Sequence, residues 1–168
     1  MASSIQQFFK DHGISDVEAI IPDMAGVARG KIMPAEKFAE EEGMRLPEGI
    51  FLQTVTGEYP EDDSAINPSE IDIVLKADPR SVRVVPWAAE PTAQVIHDCF
   101  YSDARPVTMA PRHVLRHVLD LYAERGWDRA VRAVCDEHQI TYQGFSLLTA
   151  NRQVLAASAV QAIAKRHG

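Results

Sequence analysis

The spacing of apolar and polar positions divides the chain into a mixed part followed by a helical part. In "SIQQFFKDHG", Ile5, Phe8 and Phe9 share one face behind Ser4, and Gly13 supplies a stop, which predicts a short amphipathic helix. "VEAIIPDM" and "ARGKIMP" are strand-like runs around "DMAG", where Asp23 and Gly26 bring turn chemistry, so the pair predicts a hairpin. "PAEKFAEEEG" predicts a second helix, with Pro34 in its first turn and Gly43 after its end. Strand-like runs follow at "GIFLQTVTG", "DIVLKADP", "VRVVPW" and "TAQVIHDCF", separated by turns rich in Pro, Asp and Asn. "PEDDSAINPSE" is acidic and aperiodic, and reads as a mobile loop.

From residue 111 the period becomes helical. Pro111 suits the first helical position, Val114, Leu115, Val118, Leu119 and Tyr122 form one apolar stripe, and Gly126 ends the helix. Such a stripe needs a partner surface. The remainder, from "AVRAVCDEH" to the end, reads as a helix, a strand "ITYQGFSLL", a polar loop and a further helix. One sheet with few helices gives an α+β fold class.

Charge sharpens the division. Residues 1–128 carry 22 acidic and 12 basic side chains, a net of -10, whereas residues 129–168 carry 2 and 5, a net of +3. All ten prolines lie before residue 112. A break of this kind marks a boundary. The overall net charge of -7 argues against nucleic acid as a partner, because phosphate binding needs surplus Lys and Arg. The start lacks a basic flank followed by an apolar run, and no uncharged stretch has membrane-spanning length, so a cytoplasmic protein with no membrane partner is expected. Cys99 and Cys135 form no CxxC pair and read as reduced, buried thiols.

Sequence chemistry offers little for phosphoryl transfer. Glu40 and Glu42 lie two apart on a predicted helix and point to nearly opposite sides, while the "PEDD" carboxylates at 60–63 sit in a predicted loop. "GVARGK" lacks P-loop spacing, and its Arg29 and Lys31 share one face of a strand; with Asp23 they read as turn and surface residues. His113 and His117 stand four apart on a helix, but the intervening "VLR" lacks the Glu of an HExxH metal motif. His97 and Asp98 alternate on a strand and face opposite ways, which argues against a catalytic pair.

The ordered blocks "IPDMAGVARGKIMP", "LPEGIFLQTVTGEYP", "DPRSVRVVPW", "PTAQVIHDC" and "APRHVLRHVLDLYAERGW" resemble the amino-terminal, β-grasp-like domain of the glutamine synthetase family, with the γ-glutamylpolyamine synthetases as the most similar branch. The resemblance covers residues 1 to about 128. It implies a β-grasp domain over 1–108 and a helix over 109–128 that leads, in the family, into a catalytic domain binding ATP, Mg²⁺ or Mn²⁺ and glutamate, within a homo-oligomeric ring. In the family a Glu-x-Glu strand follows that helix; here "GW" is followed by "DRAVRAVCDEH", so no metal ligand and no catalytic residue is assigned to this chain.

The resemblance also implies that a loop of this domain reaches the amine site of a neighbouring subunit. The matching stretch is "FLQTVTGEYP", where Leu52 stands in place of the family's ammonium-handling Asp, a change that favours a larger, partly apolar amine. Glu58 and Tyr59 are the candidate contacts for its cation, one by charge and one by its ring face.

Residues 129–168 resemble a helix-strand-helix fragment of the aldo-keto reductases, in which Phe145, Ser146 and Leu148 would touch a nicotinamide cofactor if the barrel were whole. A barrel needs eight such units and about 250 residues. The reading is therefore the small domain of a glutamate-amine ligase, joined near Trp127 to a foreign fragment and inactive alone. The alternatives are a binding module that associates with full-length subunits, and a remnant of an NADP-dependent reductase.

Overall fold

The computed structural model describes residues 4–41, 44–62 and 71–127, and beyond these only 129, 133, 136 and 137. Helix α1 (Ser4–Asp11) precedes the hairpin β1 (Asp16–Pro22) and β2 (Ala28–Pro34), then α2 (Ala35–Glu41) and β3 (Met44–Pro47). A 3-10 turn (Glu48–Leu52), β4 (Asp72–Ala77), a second 3-10 turn (Pro79–Ser81), β5 (Arg83–Val84), β6 (Thr92–Phe100) and α3 (Pro111–Glu124) follow. The architecture is α+β, as expected.

The sheet runs β2-β1-β6-β4-β3, with β5 pairing β6 off this path. The central β1–β6 pair is parallel, and the other ladders are antiparallel. Where β4 leaves the edge of β6, buried Ser81 fills the break: its hydroxyl donates to the Asp78 carbonyl at 2.7 Å and accepts from Ile96 N at 2.8 Å. The 3-10 turn thus satisfies backbone groups that a lost ladder bond would leave bare.

Alternation decides which face is buried. Val17, Ala19 and Ile21 of β1 join Val95 and Cys99 of β6, Ile73 and Leu75 of β4 and Leu46 of β3 in one apolar core. Helix α1 adds Ile5 and Phe9, and α2 adds Phe38, whose ring meets Phe9 edge-on at 5.7 Å. Each side chain of this size contributes about 1.5–3 kcal/mol on full burial. Burial also pushes the Cys99 thiol pKa up to about 12, ahead of the nearby Asp98 charge, which makes it an inert core side chain.

The sheet curls into a nearly closed barrel. Met33, Lys31 and Arg29 pair across the ladder with Val17, Ala19 and Ile21, so all three point to the core side of β2. Met33 is buried there, while Lys31 reaches across to β3 and Arg29 reaches Asp23 and the Thr54 carbonyl. Lys31 Nζ donates to the Arg45 carbonyl at 3.1 Å, a side chain standing where a ladder bond would close the barrel.

Three sequence expectations change. The run "GIFLQTVTG" is a 3-10 turn followed by a loop, because Pro47 and Gly49 break the chain at its start and its apolar residues do not alternate. "VRVVPW" contributes only the two-residue β5, cut short by Pro86. The stripe on α3 is not its buried face: Val114 is 48% and Val118 41% exposed, whereas Arg112 is 5% exposed. Leu115, Leu119 and Tyr122 of the stripe are half-buried, and ion pairs from Arg112 and Arg116 tie the helix to Asp78 and Asp98. "PEDDSAINPSE" falls, apart from residues 60–62, outside the described residues.

Candidate functional site

The loop that the sequence singles out is a closed surface turn. Thr54 N donates to the Glu58 carbonyl at 2.8 Å, Gly57 N to the Thr54 carbonyl at 2.9 Å, and Glu58 N to Thr54 Oγ1 at 3.1 Å. Gly57 makes this possible by adopting a left-handed φ of 90°. Val55 is 70% exposed and Tyr59 52% exposed, and Glu58 is also exposed. The Glu58 carboxylate accepts from the Thr56 hydroxyl at 3.3 Å, so Glu58 and Tyr59 stand side by side on a presented edge, with the acid oriented by its own turn.

A second turn supports the loop from below. Asp23 Oδ1 accepts from Ala25 N at 2.9 Å and Val27 N at 2.8 Å, closing the β1–β2 turn around Gly26, whose φ is 77°. Its Oδ2 accepts from Arg29 Nε at 2.7 Å. Arg29 then donates through an η nitrogen to the Thr54 carbonyl at 2.6 Å. Asp23 is 1% exposed, so the expected turn residue is a buried carboxylate rather than a surface one.

Charge on the opposite side of the sheet is structural. Arg112 donates to Asp98 Oδ1 and Asp78 Oδ2, each at 2.8 Å, and Arg116 donates to Asp98 Oδ2 at 2.6 Å. Burial pushes the Asp78 carboxyl up, but hydrogen bonds from the Arg80 side chain and amide and from Arg112 outweigh it and hold the group at about 2. Asp98 thus serves α3, and the expected separation from His97 holds.

His97 lies in the core with its ring edge-on to Phe38 at 5.7 Å and Nδ1 3.1 Å from the Val95 carbonyl; among the described residues its Nε2 makes no well-formed hydrogen bond, although the Ile20 backbone also acts on the ring. Burial lowers its pKa from 6.5 to about 4, against the pull of the backbone carbonyls. Between those values the folded state binds fewer protons than the unfolded one, so stability is full above pH 6.5 and falls as pH drops towards 4. Thermal melts across this range are expected to show a declining Tm, and the His97→Leu variant to flatten that decline; parallel pH profiles would refute the assignment.

The His113–His117 pair forms no metal site among the described residues: His113 Nε2 lies 2.7 Å from the Cys99 carbonyl, while His117 is exposed. No group of three His, Cys, Asp or Glu side chains able to hold a metal occurs among the described residues. The buried carboxylates Asp23 and Asp78, and the largely buried Asp98, are each bound by arginine, and buried Glu48 accepts from the Tyr101 hydroxyl at 2.5 Å. These residues do not fit a divalent cation or a triphosphate, which need carboxylate oxygens and cationic donors free to take them. Phe145, Ser146 and Leu148 lie outside the described residues, as does Cys135. No described helix is long and apolar enough to cross a membrane.

No protein-family model matches the chain. The chain is 32% identical over 124 residues to the γ-glutamylethanolamide synthetase GlnA4 of Streptomyces coelicolor, covering 69% of this chain and 27% of that protein. It is 31% identical over 112 residues to a glutamine synthetase of Pyrococcus abyssi, covering 66% of this chain and 22% of that one. Among solved structures, a GmaS/ADP complex superposes with a TM-score of 0.57 at 25% identity, over 74% of this chain and 26% of the other. The chain spans about a quarter of the length of the proteins it matches. Shared sequence and shared fold together support kinship of this chain with the glutamine synthetase family.

Proposed function

We propose that residues 1–128 are the amino-terminal, β-grasp-like domain of an ATP-dependent glutamate-amine ligase, and that the 51–60 loop serves the amine site of an adjacent subunit. The observation that carries this reading is the 124-residue match to a γ-glutamylethanolamide synthetase, a protein named for an amine larger than ammonia. The presented edge supports it: Glu58 supplies a negative charge for an ammonium group, Tyr59 a ring face, and Leu52 and Val55 apolar surface for the rest of the amine. ATP and Mg²⁺ or Mn²⁺ belong, on this reading, to the larger catalytic part of the family and not to the residues described. The absence of proline after Pro111 and the reversal of charge after residue 128 support a separate origin for 129–168, and a reductase-like source rests on the sequence resemblance alone.

Alone, the chain is expected to release no phosphate from ATP in the presence of glutamate, magnesium and ethanolamine or putrescine. A malachite-green assay on purified protein checks this. Amine-dependent release by the chain itself would overturn the division of labour proposed here.

A further inference from the structure

The contact between the two surface turns has a chemistry of its own. Arg29 is the one described side chain that joins a buried carboxylate on the β1–β2 turn to the backbone of the 54–58 loop, through Nε–Oδ2 and Nη–O contacts of 2.7 and 2.6 Å. Its side chain is only 16% exposed and that of Asp23 is fully buried, so water does not substitute freely for the Asp23 contact, while the contact to the Thr54 carbonyl lies at the exposed end of the guanidinium. Asp23 is itself fixed by the amides of Ala25 and Val27, which leaves the guanidinium one orientation. A β-carbon at Gly57 would lie 3.6 Å from the other Nη of Arg29, so the planar group also lies against the left-handed residue of the loop.

We infer that Arg29 is a positioning residue: with Asp23 it forms a latch that presets the loop bearing Val55, Glu58 and Tyr59 before any partner arrives. The inference deepens the proposed function, and its bearing on an amine rests on that reading; the latch itself does not. Physical reasoning favours a preset loop, because an exposed five-residue turn otherwise loses conformational entropy on docking. An arginine suits the task where a lysine does not, since one planar fork donates in two fixed directions.

The test separates the latch from the turn it grows out of. Asp23→Asn keeps an oxygen to cap Ala25 and Val27 but presents an amide, which cannot accept from Arg29. Amide hydrogen exchange on the full chain is expected to accelerate about tenfold or more at Thr54, Gly57 and Glu58 in Asp23→Asn and in Arg29→Gln, as loss of a charge-assisted bond requires. In Asp23→Asn, Ala25, Val27 and the β1 amides stay protected. Arg29→Lys, able to reach one partner at a time, falls between. Unchanged loop exchange in both variants overturns the inference, and so does acceleration spread equally over the β1–β2 ladder, which marks a loosened fold. Loop amides that respond as expected, in a chain that never associates with a ligase subunit, support the latch and contradict only the functional reading.

Discussion

Gly30→Ala is expected to destabilise the chain by about 3 kcal/mol or more, the upper end for forcing atoms into a packed site, and to lower Tm by roughly 10 °C. A β-carbon at Gly30 would lie 1.9 Å from the Ala19 carbonyl oxygen and 2.9 Å from its carbon. Both are backbone atoms of the paired strand, so no side-chain rotation relieves the clash, and β2 must move away from β1. Because β2 carries Arg29 and Lys31, its displacement also opens the barrel seam and releases the loop. Gly13→Ala provides the contrast. Gly13 has a φ of 59° with nothing within 4 Å of an added β-carbon, so only the left-handed strain of about 1 kcal/mol is expected. Equal losses in the two variants, read by urea denaturation, would contradict the close-approach argument.

Arg112→Met is expected to cost about 3 kcal/mol, the lower end for removing one partner of a buried ion pair, since Arg80 and Arg116 still partner the two carboxylates. Arg105→Ala, which breaks a solvent-exposed pair with Asp103, should leave stability essentially unchanged. Acid adds a second signature. With its folded pKa at about 2 against a usual 3.8, Asp78 contributes stability that is present above pH 4 and lost as pH falls towards 2. In Arg112→Met that limb shrinks, because one of the bonds holding the carboxylate down has gone. Chemical denaturation at pH 6, 4 and 2.5 distinguishes the outcomes: a variant as stable as the parent would mean that α3 is anchored by something other than charge.

Strand-like apolar runs bounded by turn residues were legible in the sequence. "TAQVIHDCF" coincides with β6 from Thr92 to Phe100, and "VEAIIP" and "ARGKIMP" lie in the hairpin whose turn needs Asp23 and Gly26. Pro111 and Gly126 bracket α3 for the reasons that place these residues at helix ends. The burial of Arg112 was not legible, because its partners Asp78 and Asp98 lie 34 and 14 residues away and no local period announces an ion pair. Nor was β3 visible: "MRLP" is too short to carry a pattern, and pairing with β4 makes it a strand. The loop was recognisable by resemblance, but its support was not. Arg29 reads as a surface cation until the curl of the sheet brings the Thr54 carbonyl within reach of it. Long-range closure, not local preference, turned a presumed surface residue into a structural link.

On the proposed function, the 51–60 edge would face another subunit of a glutamine-synthetase-type ring. A photoreactive benzophenone side chain installed at Val55, which is 70% exposed, reports on this directly when the chain is mixed and reassembled with full-length γ-glutamylethanolamide synthetase subunits. Native mass spectrometry followed by irradiation is predicted to find mixed oligomers and a cross-link from position 55 into the partner subunit. Free chain beside an unmixed ring, or mixed oligomers in which position 55 never captures the partner, would contradict the account.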